Sequence, residues 1–162
     1  MSLPERFKQF IKDENLFHTK DRLLIAVSGG VDSVVLCHLC KMDGYDFMIA
    51  HCNFQLRGAE SDADEQFVRD LANRYSVDFF TRKFDTAAYA SENKTSVQVA
   101  ARNLRYNWFS QLINDEVSDK PVYILTAHHA NDNIETMLMN FFKGTGNKRL
   151  QSIRPKCGTG NR

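Results

Sequence analysis

Six consecutive residues, Ser28-Gly29-Gly30-Val31-Asp32-Ser33, carry the most specific chemistry in this chain of 162 residues. Two glycines let the backbone turn sharply and let its N–H groups approach an anion. A helix opening at the same point adds its partial positive charge. The combination suits a phosphate chain. It is not a Walker A loop, which needs Gly-x4-Gly-Lys-Ser/Thr, nor the dinucleotide fingerprint Gly-x-Gly-x-x-Gly. A carboxylate beside phosphates repels them unless a cation lies between, so Asp32 implies Mg²⁺. The plainer alternative is a Gly-Gly turn with Asp32 as a helix cap.

Two further groups could do chemistry. His128, Asp132 and Glu135 stand at i, i+4 and i+7, one face of a helix if that segment is helical. Two carboxylates and an imidazole suit a lysine ammonium or a metal; a solvated polar face is the alternative. Arg102 and Arg105 stand at i and i+3 on another expected helix. Arginine suits a bidentate grip on phosphate that strengthens in a transition state, although a surface arginine is its commoner fate. Cys37 and Cys40 form Cys-x-x-Cys inside an amphipathic helix and read better as small core residues. Cys52 and Cys157 have no partner at metal spacing, so neither zinc nor an Fe–S cluster is expected.

Short apolar runs must position these residues. Leu23–Val27, Phe47–Ala50, Val77–Phe84 (weaker, nearer an edge) and Val122–Ala127 predict four strands buried on both faces. Helical patterns fill the gaps. Val34–Met42 ends near Gly44, a plausible C′ residue. Ser61-Asp62-Ala63-Asp64 resembles a capping box ahead of Phe67, Val68, Leu71, Ala72 and Tyr75. Thr95-Ser96-Val97-Gln98 caps a long helix with its stripe at Val97, Ala101, Leu104, Trp108 and Leu112, and Ile134, Met137, Leu138 and Phe141 mark a last helix. The alternation predicts a three-layer α/β fold, Rossmann-like, with a mainly parallel sheet. In such sheets ligands sit beyond the carboxyl ends of the strands, and in the order 3-2-1-4-5 the first and fourth strands are neighbours.

Composition agrees with a globular chain: 43% hydrophobic and 25% charged, net +1. It argues against disorder, collagen, a coiled coil and a membrane protein; the longest apolar run is Leu23–Val27. The N-terminus shows no signal-peptide h-region, and four cysteines are too few for a disulfide scaffold, so a cytoplasmic location is expected. The charge is uneven. Residues 1–81 carry 9 bases and 13 acids, residues 82–162 carry 12 and 7, and Lys143–Arg162 holds six bases and no acid. Basic ends often touch phosphate, though a solvated tail accounts for them as well. The expected division is a catalytic domain over 1–150 and a basic tail over 151–162, opening a region missing from a truncated chain.

The hexapeptide resembles the pyrophosphatase loop of the N-type ATP pyrophosphatases, the PP-loop superfamily. Four more segments resemble the tRNA(Ile)-lysidine synthetases within it: His51-Cys52-Asn53-Phe54-Gln55-Leu56-Arg57-Gly58 with the acidic Glu60–Glu65, Ala100-Ala101-Arg102-Asn103-Leu104-Arg105-Tyr106, Thr126–Thr136, and Lys143-Gly144-Thr145-Gly146. The resemblance implies ATP and Mg²⁺ as cofactors, with Ser28, Gly29, Gly30, Val31, Asp32 and Ser33 around the β and γ phosphates. It implies adenylation of the wobble cytidine (position 34) of a tRNA(Ile) with anticodon CAU. The ε-amino group of free L-lysine then attacks C2 to give lysidine, releasing AMP, after the earlier loss of pyrophosphate. In that reading Asp32 holds Mg²⁺, Arg105 stabilises the α-phosphate, and His128, Asp132 and Glu135 bind lysine, Asp132 taking its proton. Asn53, Arg57 and Arg102 are candidate nucleotide or tRNA contacts, and a homodimer is implied too.

Three residues depart from the family pattern: Phe54 where His is frequent, Asn131 where Asp is common, and Lys143 for a frequent Arg. The runner-up is a tRNA thiolation enzyme of the same superfamily, which would use paired cysteines. A non-catalytic nucleotide-binding module is the remaining alternative; it would keep the glycines but would not need Asp32, Arg105 and the His128–Glu135 group together.

Overall fold

Leu23, Leu24 and Ile25 are completely enclosed, which requires cover on both faces of the strand that carries them. In the computed structural model, which describes residues 1–115, 120–130 and 133–141 (from 128 onward by backbone alone), that strand is β1, Arg22–Ala26. It pairs in parallel with β2 (Asp46–Asn53) on one side and β4 (Val122–Ala130) on the other. The registers set Ala26 against both Ala50 and Thr126. β3 (Phe79–Lys83) adds in parallel outside β2, and β5 (Asn133–Phe141) adds antiparallel outside β4. The order is β3-β2-β1-β4-β5, so the expected adjacency of first and fourth strands is present.

Alternation along β1 and β2 sorts the core into two layers. Leu23, Ile25, Phe47 and Ile49 meet Leu36, Cys37 and Cys40 of α2 (Val31–Met42) and Val68, Leu71 and Ala72 of α3 (Ala59–Tyr75). Leu24, Met48 and Ala50 meet Trp108, Phe109 and Ile113 of α5 (Val97–Asp115). This is the three-layer α/β architecture. Each fully buried Leu or Ile side chain contributes about 1.5–3 kcal/mol, so the central strands supply much of the driving force.

The helix ends follow local chemistry. Gly44 (φ +73°) follows α2, and the Tyr45 N–H reaches back to the Cys40 carbonyl, closing the last turn. Ser96 Oγ accepts from the Val99 N–H at 3.2 Å and caps α5.

The structure corrects the sequence-based expectations in four places. The segment with Ile134, Met137, Leu138 and Phe141 is strand β5, not a helix. A short apolar run satisfies both periods, and pairing with β4, Ala130 against Asn133 through Val122 against Phe141, decides between them. α3 begins at Ala59, before Ser61; the Ser61 hydroxyl instead accepts from the Arg57 N–H at 3.2 Å. The buried face of α5 comprises Ala100, Trp108, Phe109 and Ile113, while Val97 is exposed and Ala101, Leu104 and Leu112 are half-buried. Each i+4 step overshoots a full turn by about 40°, so contact passes from one row to the next along a long helix. Finally, α1 (Leu3–Asp13) and α4 (Thr86–Glu92) form where the apolar spacing predicts no helix. Among the described residues no helix is long and apolar enough to cross a membrane. The boundary at 150, the basic stretch from Lys143 and Cys157 lie outside them.

Candidate nucleotide site

The hexapeptide leaves the carboxyl end of β1 and opens α2, between the ends of β2 and β4. Its entry is fixed by two bonds. The Val27 N–H donates to the Ala50 carbonyl at 2.9 Å, and buried His51 donates from Nδ1 to the Val27 carbonyl at 2.7 Å. Gly29 then takes φ +96°, a conformation side chains rarely adopt. A Cβ there would lie 3.4 Å from Cβ and Oδ1 of Asp64, so α3 closes directly against the loop.

The loop's hydroxyls brace it from within. Ser33 Oγ donates to the Gly30 carbonyl at 2.8 Å, and the Gly30 N–H donates to Ser28 Oγ at 3.3 Å. Gly30 is the N-cap of α2, and no side chain caps that helix. The first-turn N–H groups of Val31, Asp32 and Ser33 therefore lack intrahelical acceptors and sit at the positive end of the helix dipole. Asp32 stands half-buried in the same turn. A Mg²⁺ bound to phosphates commonly takes only one or two protein carboxylates, so this single aspartate fits the ion without a ligand cluster; none of three or more His, Cys, Asp or Glu occurs among the described residues.

Arg105, half-buried on α5, reaches the same sheet edge. Its guanidinium lies 5.3 Å from the Phe54 ring centroid and beside the Cys52 thiol. Burial pushes that thiol up to about 12, against the opposing pull of Arg105. Among the described residues no carboxylate forms an ion pair with Arg105. Arg57, by contrast, is bound to Asp64 at 2.6 Å, which places a paired arginine beside Gly29. Arg102 is exposed and lies over Tyr106 at 5.7 Å. Asn53 is buried, and its amide is engaged within the protein: it donates to Asp62 and Glu65 of α3, each at 3.0 Å, and accepts from the Gln55 N–H. Lys83 joins this group through Asp62 at 2.7 Å, and the two hydrogen bonds hold the Asp62 carboxyl below its ordinary range.

The register sets His128 of β4 opposite Glu135 of β5 as backbone partners, in place of a shared helix face; Asp132 lies outside the described residues. Cys37 and Cys40 are fully enclosed in the core, burial raising the Cys37 thiol to about 12 and Cys40 further. That is the environment of inert structural thiols, not of sulfur-transferring ones. Three residues that the sequence reading names without a role at the loop stand around it: His51, Cys52 and Asp64. Only His51, a polar residue following the apolar Phe47–Ala50 run, leaves a readable signal.

The family model described as the PP-loop domain matches residues 1–161. Among curated proteins, the chain is 44% identical over 156 residues to the tRNA(Ile)-lysidine synthase of Bacteroides thetaiotaomicron, covering 96% of this chain and 36% of that protein. It is 46% identical to the Porphyromonas gingivalis protein of the same name (90% and 32% covered) and 40% identical to that of Chlorobaculum tepidum (95% and 47%). The chain thus spans a third to a half of the length of these relatives. A solved ammonia-dependent NAD synthetase from Campylobacter jejuni superposes with a TM-score of 0.49 at 17% identity, over 74% of this chain and 53% of its own. With the match to residues 1–161, the chain belongs to the PP-loop domain family.

Proposed function

We propose that this chain is the ATP-binding, adenylating part of a tRNA(Ile)-lysidine synthetase. The observation that carries the reading is one sheet edge holding an uncapped helix N-terminus behind Gly29 and, one strand away, an arginine held by uncharged groups. The first suits the β and γ phosphates of ATP. The second suits the α-phosphate, where charge builds during transfer. Mg²⁺ held through Asp32 would neutralise the phosphate oxygens.

The substrates follow from the relatives' name. The O2 atom of cytidine 34 attacks the α-phosphorus as the bond to pyrophosphate breaks. The lysine ε-nitrogen then attacks C2, the C2–O bond breaks with AMP leaving, and the amine loses its proton to a nearby base. His128, Asp132 and Glu135 are the proposed lysine site, with Asp132 as that base. Asn53, Arg57 and Arg102 are proposed on the nucleotide or tRNA side; for Asn53, the buried amide favours bracing α3 over touching a ligand.

The test supplies ATP, Mg²⁺, labelled lysine and tRNA(Ile) with a CAU anticodon to the chain alone and to the chain joined to the C-terminal portion of the Bacteroides relative. Nucleosides are then resolved by mass spectrometry. An ATP-dependent lysine adduct on cytidine is expected. Binding of ATP without cleavage in both forms, or a thiolated nucleoside when sulfur is supplied, would overturn the reading.

A further inference from the structure

An arginine inside a protein is normally neutralised. Arg22 and Arg69 contact carboxylates, and Arg57 does so beside the loop itself. Arg82 and Arg102 rest on rings without a carboxylate, but both are exposed; Arg105 is half-buried, and the groups beside it, the Phe54 ring and the Cys52 thiol, are uncharged. An aromatic face holds a guanidinium through its quadrupole and leaves the net charge intact. It also leaves the edge of the planar group, where the paired N–H donors lie, open for a bidentate anion.

Phe54 is itself held in place. Its carbonyl accepts from Thr86 Oγ1 at 2.9 Å. Its ring stacks on Phe84, with centroids 5.7 Å apart and planes 23° apart. Phe84 meets Trp108 edge-on at 6.0 Å. Trp108 is on α5, three residues beyond Arg105, so the contacts form a closed loop from α5 through two phenylalanines back to α5. Arg105 thus rests on a platform built by its own helix and the end of β2.

We infer that Phe54 is a positioning residue that fixes the unneutralised Arg105 guanidinium for phosphate binding at the loop. The inference rests on the reading of Arg105 as a phosphate contact, and the variants separate the two. Calorimetry with a non-cleavable ATP, α,β-methylene ATP with Mg²⁺, gives affinities without turnover; adenosine serves as the phosphate-free control. Phe54→Leu keeps an apolar side chain and removes the ring face, and we expect about tenfold weaker analogue binding with adenosine binding unchanged. Phe54→Tyr, which keeps the face, restores the wild-type value. Arg105→Met weakens analogue binding at least as much, and adding Phe54→Leu to it weakens binding no further. Wild-type affinity in Phe54→Leu, or additive losses in the double variant, would overturn the role of Phe54. Wild-type affinity in Arg105→Met would overturn the reading of Arg105 beneath it.

Should Phe54→Leu fail to fold, Phe54→His gives the same answer through pH. Its imidazole is neutral at pH 8 and charged at pH 5.5, where it repels Arg105. Analogue binding should then weaken at pH 5.5 relative to wild type, and this excess loss should vanish in Phe54→His/Arg105→Met. An excess loss that persists without Arg105 would refute positioning.

Discussion

Replacing Gly29 and Gly30 separately distinguishes a glycine needed by the backbone from one needed by a ligand. At Gly29 the φ of +96° is the difficulty. The added Cβ would sit 3.4 Å from Asp64, an ordinary contact, so sterics contribute little. Holding alanine in that conformation costs about 1–3 kcal/mol, or roughly 3–10 °C of melting temperature in a domain this size. Gly30 has φ −74° and ψ 157°, which any residue adopts, and its Cβ would meet only Ser28 Oγ at 3.4 Å. Gly30→Ala should therefore shift stability by less than about 0.5 kcal/mol. Its methyl would nevertheless stand at the entrance to the α2 N–H groups, and α,β-methylene ATP should bind at least about tenfold more weakly. Thermal unfolding and calorimetry on both variants measure the two effects. If Gly30→Ala melted several degrees low, the backbone account would be wrong; if it bound the analogue like wild type, phosphate would not lie on this loop.

Asp32→Asn should abolish the Mg²⁺ dependence of analogue affinity: wild type binds about tenfold tighter with Mg²⁺ than with a chelator, and the variant binds alike in both, by calorimetry. Trp108→Ala removes a large side chain from the second core layer and should cost about 3–5 kcal/mol in urea unfolding. Cys37, Cys40 and Cys52, all held protonated by burial, should resist a thiol reagent at pH 8 and react fully in denaturant. The Asp62–Lys83 contact has a defined pH window. The folded Asp62 value is depressed, so its stabilisation is full above the ordinary 3.8 and is lost as pH falls through the lower folded value. Lys83 is raised, so its share is full below 10.5 and lost above that. The melting-temperature difference between wild type and Lys83→Met should be constant from pH 5 to 8 and close below pH 3.8.

Much of the fold is legible in the sequence because buried parallel strands announce themselves. Leu23–Val27 and Phe47–Ala50 are continuous apolar runs, and two glycines set between a strand and a helix mark a sharp turn open to an anion. β5 reads as a helix because Ile134, Met137, Leu138 and Phe141 fit one by spacing, whereas the deciding contact, pairing with β4, is absent from local sequence. α1 is easily overlooked although Ser2 and Glu5 form a capping box with Pro4 in the first turn, a signal carried by polar residues and not by an apolar stripe. In the candidate site the loop is readable because its requirements are local. Phe54 and Cys52 cannot be assigned to Arg105 from sequence: α3, β3 and α4 intervene before α5, and only the fold brings them together.

The position of β1 has a consequence for how the protein comes to exist. Arg22 pairs with Asp46 on one side and with Val122, one hundred residues further along the chain, on the other. Such distant pairing makes closure of the sheet a late event and a slow one. On a ribosome, β1, β2 and β3 can associate early, but the loop after β1 has only one wall until residues near 126 emerge. Nucleotide affinity should thus appear abruptly with the arrival of β4, making the site a reporter of completed folding.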